Sequence, residues 1–390
     1  MVKENTMKQT EIGLLPEDWD VKKLYEVGVF SKGKGISKSE ANSGNIPAIR
    51  YGELYTKHHN VIRKFYSFIN SQVASNSIKL KKGDILFAGS GETKEEIGKS
   101  VAFINDEETF VGGDIVILSP YKNCEPTFFG YLLNSKEIQK QKSANGQGDA
   151  VVHIYSSSLK DVKIPLPPLP EQEAIAEALS DADAWIESLE QLIAKKRLIK
   201  QGAMQELLTP KEDWEVKKLG EVCSILNNLR IPIKESSRIK GDTPYYGANG
   251  IQGYIEGFTH NGDYVLVAED GANDLNNYPI NYVSGKIWVN NHAHVLQGIL
   301  SILSTRFLSY LLKSIDFQNV LVGGTRAKLN KSILEKIEFS FPSLTEQTRI
   351  ATILSDMDAE LEALEGQLGK ARKVKQGMMQ ELLTGRIRLI

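Results

Sequence analysis

Residues 171–209 read EQEAIAEALSDADAWIESLEQLIAKKRLIKQGAMQELLT, and residues 346–384 read EQTRIATILSDMDAELEALEGQLGKARKVKQGMMQELLT. One offset of 175 aligns the two without a gap, and 23 of the 39 positions are identical. In the first copy Ile175, Leu179, Ala182, Ile186, Leu189 and Ile193 step by four and three. In the second, Ile350, Leu354, Met357, Leu361, Leu364, Leu368 and Ala371 do the same. A seven-residue apolar repeat with charged flanks reads as a coiled-coil seam, narrower than the stripe of a helix lying on a globular core. Each copy is therefore expected to be a long helix that needs a helical partner. About 35 such residues make a rod roughly 50 Å long. Ser343 with Glu346 reads as a capping box, and Pro170 suits the first turn of the other helix. The first copy is acidic early and basic late, an order that complements the helix dipole on a solvated face.

A second repeat precedes each rod. PEDWDVKKLYEV (16–27) matches KEDWEVKKLGEV (211–222) at offset 195, with 9 of 12 positions identical. The offset falls to 175 at the rods, so the second globular segment is shorter by 20 residues (195 − 175). VKIPLPPLPEQ (162–172) and IEFSFPSLTEQ (337–347) each read as a short strand, a proline break and the helix start. Between these ends the texture is that of strands bounded by Gly, Asn and Asp, at 83–89, 100–104, 113–118, 262–268, 279–285 and 286–291. Helical stretches at 127–141 and 306–315 share a YLL core. The expected architecture is α+β: two globular domains separated by an antiparallel coiled coil of two long helices, pseudo-two-fold symmetric. The expected domains are 1–165, 166–210 (rod 1), 211–340 and 341–390 (rod 2). In that arrangement the tail TGRIRLI (384–390) finishes near the N-terminus. Pairing with the rods of another copy is the alternative, and it predicts a dimer.

The chain has 390 residues, 41% of them hydrophobic and 25% charged, as in an ordinary soluble protein. No apolar run approaches membrane-spanning length, and the first residues lack the apolar core of a signal peptide, so the expected location is cytoplasmic. Cys124 and Cys223 show no metal or disulfide spacing and are expected to be reduced thiols. A net charge of −2 neither supports nor excludes nucleic acid, because phosphate contacts depend on local Lys and Arg. Identity concentrates in the rods and segment ends, whereas the loops diverge, as in FAGSGETKEE (87–96) against VAEDGANDLN (267–276). A duplicated scaffold with unequal loops suits two different recognition surfaces.

The order of these motifs resembles the specificity subunit of a Type I restriction-modification system over essentially the whole chain. The resemblance rests on the two W-x-V-x-x-L-x-E-V openings, the PLPPLPEQ and FPSLTEQ entries, and the paired repeats ending K-Q-G-x-M-Q-E-L-L-T. It implies a non-catalytic protein that reads a bipartite DNA target, with one domain for each half. The rods are then expected to set the spacer and dock two modification (methyltransferase) subunits, and restriction (translocase and nuclease) subunits join the larger complex. No cofactor is expected on this chain; S-adenosylmethionine would sit on the modification subunits. Two half-sites one DNA turn apart lie about 34–36 Å from each other, which such rods could span. The competing readings are a self-contained DNA methyltransferase or nuclease with fused recognition domains, and a scaffold with no DNA role.

Base readout needs paired donors and acceptors, so divergent polar loops are the place to look. In the first domain the candidates are Ser31, Lys32, Lys34, Arg50, Tyr51, Ser90, Glu92, Thr93, Lys94, Gln147 and His153. In the second they are Asn228, Arg230, Tyr245, Tyr246, Asn249, Asn273, His292, Thr325 and Arg326. IRYG and PYYG are taken as counterparts, as are QGDAVVHIY and GGTRAKL. Three patterns are set aside. FAGSG resembles an S-adenosylmethionine turn but lacks the Asn/Asp-Pro-Pro-aromatic partner, and Asp84 with Glu92-Thr93-Lys94 mimics a nuclease pattern that the second half lacks. His292 and His294 have no third ligand at useful spacing. No phosphate-binding G-x-x-x-x-G-K-S/T loop is present, so no ATP motor is expected.

Overall fold

A computed structural model describes residues 6–148, 151–270, 272, 274, 277–320 and 328–389. The chain divides into two units, Met1–Leu189 with Gln367–Ile390, and Glu190–Gly366. Both repeats, which have no proline beyond the first turn, are single helices of 39 residues, the first rod at Leu169–Leu207 and the second at Leu344–Leu382. Each unit is thus a mixed α/β domain together with parts of both rods. Among the described residues no helix is long and apolar enough to cross a membrane.

In unit 1 an antiparallel sheet runs in the order Ser100–Ala102, Ile85–Ala88, Ile115–Pro120, Gly28–Lys32. A second sheet has the order Ser67–Ile69, Ile46–Ile49, Phe110–Val111, Ile78–Lys79, its middle pair parallel. Unit 2 instead has one six-stranded sheet: Cys223–Ile225, Ala293–Gly298, His260–Ala268, Ile280–Val289, Thr243–Gly247, Gly250–Ile255. The difference lies in how the chain passes between layers. In unit 1 it turns at 81–84, where the Asp84 carboxylate accepts from the Lys81 amide at 2.8 Å and from Ser119 at 2.6 Å. In unit 2 Gly262 pairs opposite Gly285, both at positive φ, so two long strands bend without ending. The expected strands at 279–285 and 286–291 are therefore one.

The stretch expected as one helix at 127–141 is two, Pro126–Leu132 and Lys136–Ala144. Asn134 at the break donates to the carbonyls of Ser100 and Gly130 and accepts from the Ser100 amide, tying the helices to the sheet. Ser135 caps the second helix. Glu346, expected to reach back to its helix start, has both carboxylate oxygens on Arg349 at 2.7 Å. Cys124 and Cys223 are buried free thiols, pushed up by burial to about 11 and about 12.

The rods pair antiparallel within the chain. In unit 1 Asp183 takes Lys375, and Glu171 takes Arg388 just past the other helix end; in unit 2 Arg197 takes Glu365 and Lys200 takes Asp358. The apolar stripe does more than form a seam. Ile175 and Leu179 share a buried cluster with Trp19, Tyr131, Leu382 and Leu383, while Ile350 and Leu354 share one with Trp214, Phe307 and Leu208. Leu189 and Ile193 are buried, whereas Ile186, Met357, Leu361, Leu364 and Leu368 are half-buried. The first steps of each stripe thus pack against a globular domain.

Equivalent polar fastenings fix each rod to its domain. Gln172 donates to the Pro167 carbonyl at 2.8 Å and accepts from the Glu125 amide at 3.0 Å. Gln347 repeats this with Pro342 at 2.8 Å and Ser304 at 2.9 Å. Tyr131 donates to Asp183 at 2.6 Å and Tyr310 to Asp358 at 2.8 Å, and each aspartate also takes the lysine of the opposite rod. Burial, then the adjoining aspartate, raises both phenols well above the ordinary tyrosine value. Asp183→Ala strands a tyrosine and a lysine whose side chain is 16% exposed, so it should cost about 1–3 kcal/mol in denaturant unfolding. Asp358, at 41% against 26% for Asp183, is better solvated, and Asp358→Ala should cost less. An equal or reversed order would refute the assignment of the cost to burial.

Candidate nucleic-acid interface

In unit 1 the short helix Tyr51–Thr56 organises the candidate residues. Arg50 follows the strand Ile46–Ile49 in extended conformation and turns the chain into this helix, with Glu53 accepting from the Arg50 amide at 3.2 Å. Glu53 is buried and also holds the Ser67 hydroxyl. Tyr51 is exposed at the helix start, and Tyr55 donates to the Ser90 carbonyl at 3.0 Å. The helix therefore bridges two groups of candidates.

The first group surrounds a concavity of about 490 Å³ formed by the 35–40 loop, Arg50, Tyr51, Gly113 and Asp114. Two non-glycine residues here adopt left-handed backbone, Ile36 at φ 60° and Asp114 at φ 58°. Ser31 and Lys32 lie exposed on the sheet-edge strand Gly28–Lys32, and Lys34 is exposed just beyond. A guanidinium, a phenol and nearby ammonium groups at a concave rim suit base edges and phosphates.

The second group lies where Ser90–Gly91 pairs with Val152–His153. Ser90 Oγ is 3.0 Å from His153 Nδ1, and the backbones of Gln147 and His153 exchange hydrogen bonds at 2.9 and 2.7 Å. The His153 ring stacks with exposed Tyr155, centroids 6.3 Å apart. Glu92, Thr93 and Lys94 follow this strand pair and are exposed. Lys142 secures the far end of their loop: it is buried, with Nζ donating to the Gly98 carbonyl at 2.6 Å and to Ser100 Oγ at 3.2 Å. Burial, with Lys99 nearby, pushes its ammonium down to about 7. The sequence offers no sign of this, since Lys142 sits among polar helical neighbours. Tyr55 and Tyr155 escape sequence reasoning for a similar reason, being single aromatics beside the chosen loops.

In unit 2 several candidates turn inward. Arg230 donates to Glu269 at 2.7 Å, to the Ala293 carbonyl at 2.8 Å and to the Asn227 carbonyl at 3.1 Å. Glu269 also takes Lys328 at 3.2 Å. His294 is buried beside them: Nε2 donates to the Leu329 carbonyl at 2.6 Å, leaving Nδ1 to accept from Asn227 at 2.7 Å, and burial lowers its pKa. His292 is exposed on the preceding turn, with Asp270 at 2.6 Å, so the two imidazoles do not converge. Tyr245 is buried, its hydroxyl against the Ile233 backbone and the Arg238 guanidinium 3.9 Å from its ring. Tyr246 is half-buried, and Asn228 and Asn249 are exposed. Asn273, Thr325 and Arg326 lie outside the described residues. Tyr245 and Tyr246 lie within a strand that has one parallel and one antiparallel neighbour, whereas Arg50 and Tyr51 follow the end of a strand with the same kinds of neighbour. The hub formed by Glu269 and Lys328 escapes sequence reasoning, although two carboxylates beside a glycine at a strand end are its visible trace.

Two domains with one framework and unequal polar loops, joined by paired rods, define a class of duplicated recognition proteins. The family model for the Type I restriction modification DNA specificity domain matches residues 16–196 and again 211–370. The chain belongs to this family, the DNA sequence-specificity subunits of type I restriction-modification systems. It is 47% identical over 154 residues to a putative specificity subunit of Haemophilus influenzae, a match spanning 40% of each chain. A putative specificity subunit of Methanocaldococcus jannaschii is 28% identical over 424 residues, covering 99% of this chain and 98% of that one. The crystal structure of a type I restriction-modification S subunit from M. genitalium shares the fold, with a TM-score of 0.67, 18% identity and coverage of 93% and 96%.

Burial raises the Glu269 carboxyl, yet Arg230, His294 and Lys328 together hold it below its ordinary 4.5. Its stabilising contribution is then in place above pH 4.5 and lost as pH falls through the lower folded value. Glu269→Gln should lower the unfolding midpoint at pH 7 and flatten the midpoint's dependence on pH below 4.5. An unchanged slope would show that the hub does not stabilise the unit.

Proposed function

We propose that this chain is the non-catalytic reader of a restriction-modification complex, each unit reading one half of a bipartite DNA target. The rods dock the modification subunits and set the spacer between half-sites. Those subunits carry S-adenosylmethionine and the methylation chemistry, restriction subunits join the assembly, and the complex works in the cytoplasm. The observation that supports this best is the contrast within the duplication. Fastenings such as Gln172/Gln347 and Tyr131/Tyr310 recur, while the stretches at Arg50–Tyr51, Ser90–Lys94 and Gln147–His153 differ in residue type from those taken as their counterparts in unit 2.

The test is methylome mapping of cells carrying variants of the chain. Arg50→Ala should relax one base position of one half-site, by about 1–3 kcal/mol if its guanidinium is bidentate to guanine. Lys94→Ala should weaken all sequences alike and lower the salt dependence of binding. Neither should touch the other half-site; variants of unit 1 that change both halves would refute independent reading. Adding whole helical turns to both rods should lengthen the tolerated spacer without altering the bases read. Purified chain alone should transfer no labelled methyl group to DNA, and transfer would favour a self-contained methyltransferase.

A further inference from the structure

The two units differ at one end of the rods, where unit 1 has an element that unit 2 lacks. The hairpin of Met7–Thr10 and Gly13–Pro16 packs Leu15 and Ile12 onto the unit 1 core beside Trp19. Its tip residue Glu11 pairs with Lys163 at 2.5 Å. Unit 2 has no counterpart, because the matching segment begins at Lys211, four residues after Leu207 ends the first rod. At the end of the first rod lies an open groove of about 1090 Å³, lined by half-buried Met204 and Leu361 and by the buried Leu208, Leu311 and Phe339.

Part of this lining repeats a surface that in unit 1 lies beside the hairpin. Leu311, Ser314, Leu208 and Thr209 correspond to Leu132, Ser135, Leu383 and Thr384, which line a pocket together with hairpin residues Met7, Ile12 and Leu15. Nearby positions are less covered in unit 2. Val216 is 64% exposed, whereas its counterpart Val21 packs on the core; Leu207 is half-buried, whereas Leu382 is buried. Val216 stands opposite Ser340, a groove residue, and so faces the same side. An exposed valine beside an open groove thus marks the place where the hairpin packs in the other unit.

Charge decides between occupants. The position of Lys163 is Glu338 in unit 2, with its side chain 63% exposed and its nearest cation, Lys218, 3.9 Å away. The hairpin of a second copy would bring Glu11 against Glu338, a like-charge contact, so the groove fits a different segment. We propose that it receives a short extended or hairpin segment of the modification subunit, apolar on one face, with a Lys or Arg set against Glu338. This deepens the docking role proposed above and rests on it.

The experiment uses the full chain co-purified with its modification subunit. A photo-crosslinking phenylalanine analogue at position 216 should join to one modification-subunit segment, and peptide mapping should place a Lys or Arg within it. Val216→Glu and Glu338→Lys, both at well-exposed positions that leave the fold intact, should each weaken binding of one modification subunit on the order of tenfold. Reversing the charge of the crosslinked cation should restore binding to Glu338→Lys. Crosslinks only to another copy of this chain, no crosslink, or unchanged binding by both variants would overturn the proposal while leaving the docking role standing. A wild-type chain that takes up no modification subunit at all would sink both.

Discussion

The structure depends on a reciprocal clamp between helices of related sequence. Each rod carries an aspartate and, 17 residues later (200 − 183 and 375 − 358), a lysine, and each aspartate meets the lysine of the other rod. Such a helix is self-complementary when paired antiparallel, the same logic by which an isologous interface closes a homodimer. The phenol from each domain joins the same aspartate, so rod pairing and domain docking share one carboxylate. Identity between the rods follows from this: a change at either position of one copy breaks a contact with the other.

The domains are under no such mutual constraint. Their strands keep corresponding neighbours because a core must be covered, but the route between layers is free to differ, as a turn in unit 1 and a glycine-bent pair in unit 2. The loops are freer still. In unit 1 they are placed by buried polar groups such as Glu53 and Lys142, which leave the outer side chains in solvent. In unit 2 an Arg230–Glu269–Lys328 network does comparable work, so that a guanidinium expected at the surface is held inside.

These placements account for which features the amino-acid sequence discloses. The rods are legible because a seven-residue apolar stripe sustained over 39 residues fits a long helix and little else. Which surface each step of that stripe meets is not legible, since two turns of helix look alike whether they bury against a helix or a domain. Gly285 reads as a strand boundary yet lies inside a strand, because a glycine's sequence does not say whether it bends or stops a ladder. Arg230 and Glu269 are 39 residues apart (269 − 230), and no local pattern announces a pair formed across that distance. Divergence marks the loops that carry candidate base contacts, whereas nothing local marks the groups that hold those loops in place.

At the ends of the two rods the duplication is broken in a way that shows what a covalent link contributes. In unit 2 the first rod runs on through 208–213 into Trp214, and peptide bonds hold helix end and domain start together. In unit 1 the second rod instead ends beside Pro16 and Trp19, so closely that a Cβ on Gly385 would stand 2.5 Å from the proline ring. The tail then lays Arg388 on Glu171 at 2.5 Å and on Asp18 at 2.8 Å, while Trp19 donates to Glu171 at 2.8 Å. Glu171 is fully buried, and a buried carboxylate without its cation is costly. Its counterpart Glu346 is more exposed and pairs with Arg349 on its own helix. The unit 1 junction thus has a buried ion pair where unit 2 has a peptide link, which makes Arg388 part of the fold of unit 1.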